Sequence, residues 1–132
     1  MIGIDTNILV RFVTKDDDKQ TKLAEHLLRT VCTRDNPGYI NSAVLVEVIW
    51  VLKRFYGATK EKLIPLVEQL LIINQLELAN RDAVEQALQL YKDSKAEFAD
   101  CLILSLNLKA GCEVSYTFDK AASKLPTFNR LR

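Results

Sequence analysis

Histidine and cysteine are scarce: the 132 residues hold one His and three Cys. Cys32, Cys101 and Cys112 are odd in number and form no CxxC pair, so neither a disulfide framework nor a thiolate zinc site has its ligands. The segments around all three read as buried, which fits a reducing compartment. An excess of one charge is missing too. Lys and Arg number 18 against 17 Asp and Glu, and the formal net charge of +1 excludes the basic surface of a protein that coats nucleic acid, while a local basic patch stays available. No uncharged stretch is long enough to span a bilayer, and no charged leader with an apolar run behind it opens the chain. The expectation is a cytoplasmic protein. Internal repeats, linkers and low-complexity segments are also lacking, so residues 1–132 read as a single domain able to bury one core.

What is present is an alternation of short apolar runs with helical periods. Ile2 to Ile4 reads as a buried central strand ending at Asp5, and Asp17 to Cys32 as a helix with Asp16, Asp17 and Asp18 at its electropositive start. Arg34 to Gly38 breaks that helix. Tyr39-Ile40 reads as a strand, followed by a helix from Ala43 to Arg54 capped by Asn41 or Ser42 and stopped by Gly57. From Thr59 a further helical period carries Pro65, which implies either a kink or a late start. Leu76 to Leu78 alternates as a strand, Asn80 caps a helix through Tyr91, and Ser94 starts another that ends near Ala110 before Gly111. Val114 to Phe118 is the strongest strand signal, and Phe128 to Leu131 is a weak last one. The pattern predicts an α/β fold, a mainly parallel central sheet with helices on both faces.

Four acids stand in unusual company. In parallel α/β sheets ligands bind at the carboxyl ends of strands, and Asp5 and Asp119 each directly follow one, although an aspartate there is also a common helix cap. Glu47 is the only charge in Ala43 to Leu52, a run apolar nearly all round and therefore expected to be mostly buried, where glutamate is rare without a partner. The alternatives for it are a salt bridge with Arg11, Lys53 or Arg54, or a gap in the buried face. Asp100 repeats the anomaly within Phe98 to Leu104, with Glu97 one turn earlier. Ser94-Lys95-Ala96-Glu97 matches the S-x-x-E capping box, so Asp100 outweighs Glu97 as a site candidate.

If Asp5, Glu47, Asp100 and Asp119 converge, each pair of carboxylates at 4 Å repels by about 4 kcal/mol at an effective dielectric of 20. A cation between them removes that cost. All-oxygen donors suit Mg²⁺ or Mn²⁺, and a hard divalent ion among carboxylates is the setting for water-driven phosphodiester cleavage.

Asp5-Thr6-Asn7 at a strand end, Glu47 in an apolar run, Phe98-Ala99-Asp100 opening a helix and Thr117-Phe118-Asp119 closing a strand together resemble the PIN-domain nucleases. In its short length the chain is similar to the VapC toxins of bacterial and archaeal toxin–antitoxin pairs. The resemblance covers the whole chain in order. It implies that Asp5, Glu47, Asp100 and Asp119 form an acidic catalytic site, with Asp5 and Asp100, joined by Glu47 and Asp119, as metal ligands. It further implies accessory roles for Asn7, Glu97 and Thr117, the family often having Asp at the position of Glu97. The activity implied is Mg²⁺- or Mn²⁺-dependent endonuclease cleavage of structured RNA such as transfer or ribosomal RNA, by a homodimer inhibited by a cognate antitoxin.

Two rival readings differ in their needs. A phosphatase using Asp5 as nucleophile requires a second acid two residues on, where this chain has Asn7. A non-cleaving RNA- or protein-binding module needs none of the acids. Lys53, Arg54, Lys60, Lys62, Lys120, Lys124, Arg130 and Arg132 are available for phosphate contact in either case. Phe12, Val13, Trp50 and Phe55 are candidates for a groove or a dimer face, with core packing the expected role for most of them.

Overall fold

The computed structural model describes all residues, 1–132, and the chain forms two compact units, Met1–Ala79 and Asn80–Arg132. The first contains β1 (Ile2–Gly3), α1 (Thr6–Thr14), α2 (Asp18–His26), β2 (Gly38–Ile40), α3 (Ser42–Tyr56), α4 (Lys60–Ile72) and β3 (Leu76–Leu78). Its strands pair in parallel in the order β1-β2-β3, with Ile2 opposite Gly38 and Ile40 opposite Leu78. Parallel neighbours need long crossovers, and the helix pairs α1–α2 and α3–α4 supply them. Within this sheet the middle position belongs to β2, not to the first strand as expected.

Local chemistry explains most boundaries. Asp17 caps α2 by accepting the Gln20 N–H at 2.9 Å, and Asn41 caps α3 through the Val44 N–H at 2.9 Å. Gly57 ends α3 with φ 63°, a conformation that costs glycine little. The α2 helix runs on into one wide π turn, Leu27–Val31, so helical structure extends close to Cys32 as expected, but Leu23 and Val31 are exposed and Thr21, Ala24, Leu28 and Cys32 are the buried positions. Pro65 lies inside α4, which starts at Lys60; a late start is thereby ruled out, and the Glu61 carbonyl loses the helical N–H donor that proline lacks. The second apolar run of the opening stretch, to which the sequence pattern assigns no element, is the helix α1.

Packing shows which apolar faces are inside. Leu45, Val48, Ile49 and Leu52 of α3 are buried, as are Leu63, Val67, Leu70 and Leu71 of α4 and Leu9 and Val10 of α1. The α3 helix is not buried all round, however. Trp50 and Phe55 are 56% and 65% exposed, Phe12 and Val13 are half-buried, and the expectation of core packing fails for the two aromatics of α3.

The second unit contains α5 (Arg81–Asp93), α6 (Phe98–Lys109), β4 (Ser115–Thr117) and β5 (Phe128–Arg130). The strands β4 and β5 pair in parallel, Ser115 opposite Phe128, so the weak last strand exists. Ala83, Val84, Ala87, Leu88 and Tyr91 line one buried stripe of α5, and Tyr91 meets Phe98 of α6 edge to face at 5.7 Å. Asn80 precedes α5 in a left-handed conformation and makes no side-chain cap bond, contrary to its expected capping role. Cys32 and Cys101 are buried, whereas Cys112 lies exposed, a correction to its reading as buried; all three are free thiols. Every strand pair is parallel and helices connect them, so the fold class is α/β as the pattern predicts. No helix is long and apolar enough to cross a membrane.

Candidate active site

β1 ends at Gly3, one residue short of the expected Ile4, and Asp5 lies just beyond it as the N-cap of α1. Its backbone is extended at φ −86°, ψ 163°, and its Oδ1 accepts the Thr6 N–H at 2.8 Å, which fixes the carboxylate at the positive end of the helix dipole. The helix-cap reading of Asp5 therefore holds. Glu47 projects from α3 and is exposed, so the buried acid expected there is a gap in the apolar face instead. It nevertheless shares one hollow of about 360 Å³ with Asp5 and Asn7, lined further by Arg11, Phe55 and Tyr56.

Arg11 is the cation of that hollow, and its donors are already engaged. Its Nε donates to Gln20 Oε1 at 2.6 Å, and one terminal nitrogen donates to Asp16 Oδ1 at 3.1 Å and to the Tyr56 hydroxyl at 3.2 Å. The Tyr56 hydroxyl donates onward to Asp16 Oδ2 at 2.5 Å. The bond from Tyr56, aided by Thr14 and Arg11, holds the Asp16 carboxyl below the usual aspartate range, and the Tyr56 bond together with Asp16 pushes Arg11 up. The guanidinium is thus committed to the Asp16 side and not to Glu47, one of the salt bridges considered from sequence. Tyr56 was not legible as a site-lining residue. The signal for its neighbour existed, because Glu47, Val51 and Phe55 recur at four-residue spacing and place one stripe of α3 on the hollow.

In the second unit Asp100 sits in the first turn of α6 and is partly buried. Burial, then the charges of Asp119 and Glu97, push its carboxyl above the ordinary aspartate range. Glu97 occupies the N-cap position of α6 but makes no side-chain cap bond, and the helix begins at Phe98 rather than Ser94. Ser94 therefore lies before the helix start, and its hydroxyl accepts the Ala96 N–H at 3.3 Å. Asp119 follows β4, and its Oδ2 accepts the Ala122 N–H at 2.7 Å at the start of a short 3₁₀ turn, Ala122–Lys124. Thr117 supports that acid through the backbone, its hydroxyl accepting the Asp119 N–H at 3.0 Å.

The fit to a divalent ion is one of donor chemistry. Asp100, pushed up by burial and then by Asp119 and Glu97, is a carboxylate that a hard cation would relieve, but no group of three or more His, Cys, Asp or Glu side chains is arranged to hold a metal ion.

Against known proteins, the family model described as PIN domain matches residues 2–127. A solved structure of Mycobacterium tuberculosis VapC20, described as a Sarcin-Ricin loop cleaving toxin, is similar at 21% identity, with 96% of each chain covered and a TM-score of 0.45. No curated protein matches the sequence.

Proposed function

The chain belongs to the PIN domain family, and from that premise we propose that it is a Mg²⁺- or Mn²⁺-dependent endoribonuclease, the toxin of a toxin–antitoxin pair. The observation that carries the reading is Asp100, a partly buried carboxyl crowded by Asp119 and Glu97 where no apolar helix needs an acid. Asp5, Glu47, Asp100 and Asp119 are the residues that would hold the ion, with Asn7, Glu97 and Thr117 accessory. When bound, the ion supplies activated water and neutralises charge on the scissile phosphate.

The chain's own groups prepare for this. The Thr6 N–H orients Asp5, the Ala122 N–H orients Asp119, and Thr117 steadies the turn that carries it. The reading extends to one domain over both units, structured RNA as substrate, a homodimer, a cognate antitoxin as inhibitor, and action in the cytoplasm. It is supported by family membership and by the order of the four acids.

The test is RNA cleavage by wild type and Asp100→Asn, each purified under denaturing conditions and refolded, with Mn²⁺, Mg²⁺ or chelator, and with the cut ends mapped. Metal-dependent cuts at discrete sites that vanish in the variant are the expected result. A folded wild type that neither cuts nor binds metal sinks the nuclease and favours a module that binds RNA or protein without cutting.

A further inference from the structure

A cation and an unpaired acid share the hollow of the first unit without meeting. Arg11 and Glu47 both line it, with Asp5 and Asn7 beside them. Opposite charges facing one small cavity ordinarily pair, because the fork of guanidinium donors fits the two oxygens of a carboxylate. Glu47 nevertheless stands exposed, with no hydrogen bond and no ion pair.

The cause lies on the other side of Arg11. Its guanidinium is held from three directions: Gln20 of α2 accepts from Nε at 2.6 Å, Asp16 in the turn between α1 and α2 accepts at 3.1 Å, and the Tyr56 hydroxyl at the end of α3 accepts at 3.2 Å. The holder is itself fixed. Tyr56 donates to the second oxygen of Asp16 at 2.5 Å, and the Thr14 hydroxyl donates to the first at 3.0 Å. Lys15, the cation next to Asp16 in sequence, is turned to Glu25 at 3.6 Å and leaves Asp16 to Arg11.

Stability is a poor reason for such a cluster. The Arg11 and Asp16 side chains are 30% and 42% exposed, and ion pairs this accessible to water add little to a fold while they restrict the rotamers of a long side chain. The distinct effect of the cluster is on where the charge stands. A guanidinium released from it would turn on its flexible stem into the hollow and neutralise the carboxylates there.

We propose that Asp16 and Tyr56 are positioning residues that hold Arg11 off Glu47 and Asp5, so that these two acids stay open to an added cation. The purpose of the open acids rests on the nuclease reading, whereas the holding rests only on the bonds made by Arg11. Neither Asp16 nor Tyr56 has to touch the ion or the RNA.

The experiment compares the refolded full chain with Asp16→Asn combined with Tyr56→Phe, which removes both holders and nearly keeps their size. Urea unfolding in EDTA at low salt measures the coupling of Arg11 to Glu47 through Arg11→Gln, Glu47→Gln and their combination in each background. No coupling is expected with the holders in place. Without them, a coupling of about twofold to fivefold in the folding constant should appear, the range of an exposed ion pair. Mn²⁺ binding, followed by the paramagnetic resonance signal of the free ion, is the second readout. Acids occupied to that extent weaken the apparent affinity by roughly threefold to sixfold. Adding Arg11→Gln to the variant without holders should restore it, which a merely structural role of Asp16 or Tyr56 does not predict; circular dichroism checks that every variant folds. Coupling that is absent in both backgrounds, or already present with the holders in place, overturns the holding. Mn²⁺ affinity that stays unchanged without the holders, or that falls and is not restored by Arg11→Gln, overturns their part in keeping the acids open. A wild type that binds no Mn²⁺ loses the nuclease reading, and the coupling in EDTA then decides the holding alone.

Discussion

Asp100 shows at the scale of one residue how a candidate site residue strains against its own fold. Its carboxyl is pushed up by burial and by Asp119 and Glu97, so the native state binds its proton more tightly than the unfolded chain does. The sign follows. Below the ordinary aspartate range the group is protonated in both states and costs nothing, and the penalty grows as pH rises through the raised folded-state value and persists above it. Asp100→Asn removes the charge and keeps the size. In chelator the variant should therefore melt higher than wild type at pH 7 and equal to it near pH 3, with the gap opening as pH rises. A gap that stays constant with pH denies that the carboxyl is repelled. The same variant should lose cleavage by more than the roughly 10–100-fold that removing a supporting residue costs a metal site, so stability and activity move in opposite directions. This residue was legible in the sequence because a lone acid in an apolar helix has few structural reasons to be there. Glu47 drew attention by the same logic, but composition alone does not say which side of an apolar helix is wet, and Glu47 is exposed. Tyr56 was not legible at all, since its role depends on Asp16, forty residues away, accepting its hydroxyl proton.

At the scale of elements, the helical periods and strand positions were readable because burial on one face imposes them, whereas terminal turns depend on single competing hydrogen bonds. Ser94-Lys95-Ala96-Glu97 satisfies the capping-box pattern, yet the helix starts four residues after Ser94, whose hydroxyl accepts the Ala96 N–H. Gly38 was read as the end of a break, and the sheet gives it a different task. It is the first residue of β2, between Ile2 of β1 and Leu76 of β3. A Cβ added there would meet Ile4 Cγ1 at 3.0 Å, Leu76 Cδ2 at 3.1 Å and Cys32 Sγ at 3.2 Å. All three neighbours are buried side chains with little room to withdraw. Gly38→Ala should thus destabilise the fold by about 1–3 kcal/mol, the usual range for overpacking, against the small gain alanine brings by restricting the unfolded chain. Urea unfolding checks it: the midpoint should fall while the slope with denaturant stays the same. An unchanged or higher midpoint means that Ile4, Cys32 and Leu76 repack freely and that the glycine is not a packing requirement.

For the whole molecule, charge balance constrains how RNA can be held. With a net charge of +1 the chain lacks the field that would draw any polyanion to any surface. Acids at the proposed cleavage site repel phosphate further, so under the nuclease reading a few cations have to hold the strand. Arg11, Lys53 and Arg54 are the cations at or beside the hollow lined by Asp5 and Glu47, and Arg11 is already tied to Asp16, Gln20 and Tyr56. About two to four phosphate contacts is then the expected load. For single strands the logarithm of affinity falls with the logarithm of salt at about 0.7 per phosphate neutralised, giving a slope of roughly −1.5 to −3. Measured on the Asp100→Asn chain in chelator with a short RNA, a slope in that range means that a small cationic patch positions the strand. A slope steeper than about −5 requires contacts far beyond the hollow, drawing in Lys60, Lys62, Lys120, Lys124, Arg130 and Arg132. RNA would then be bound as a polyanion over a wide surface, with an affinity that rises steeply as salt is lowered.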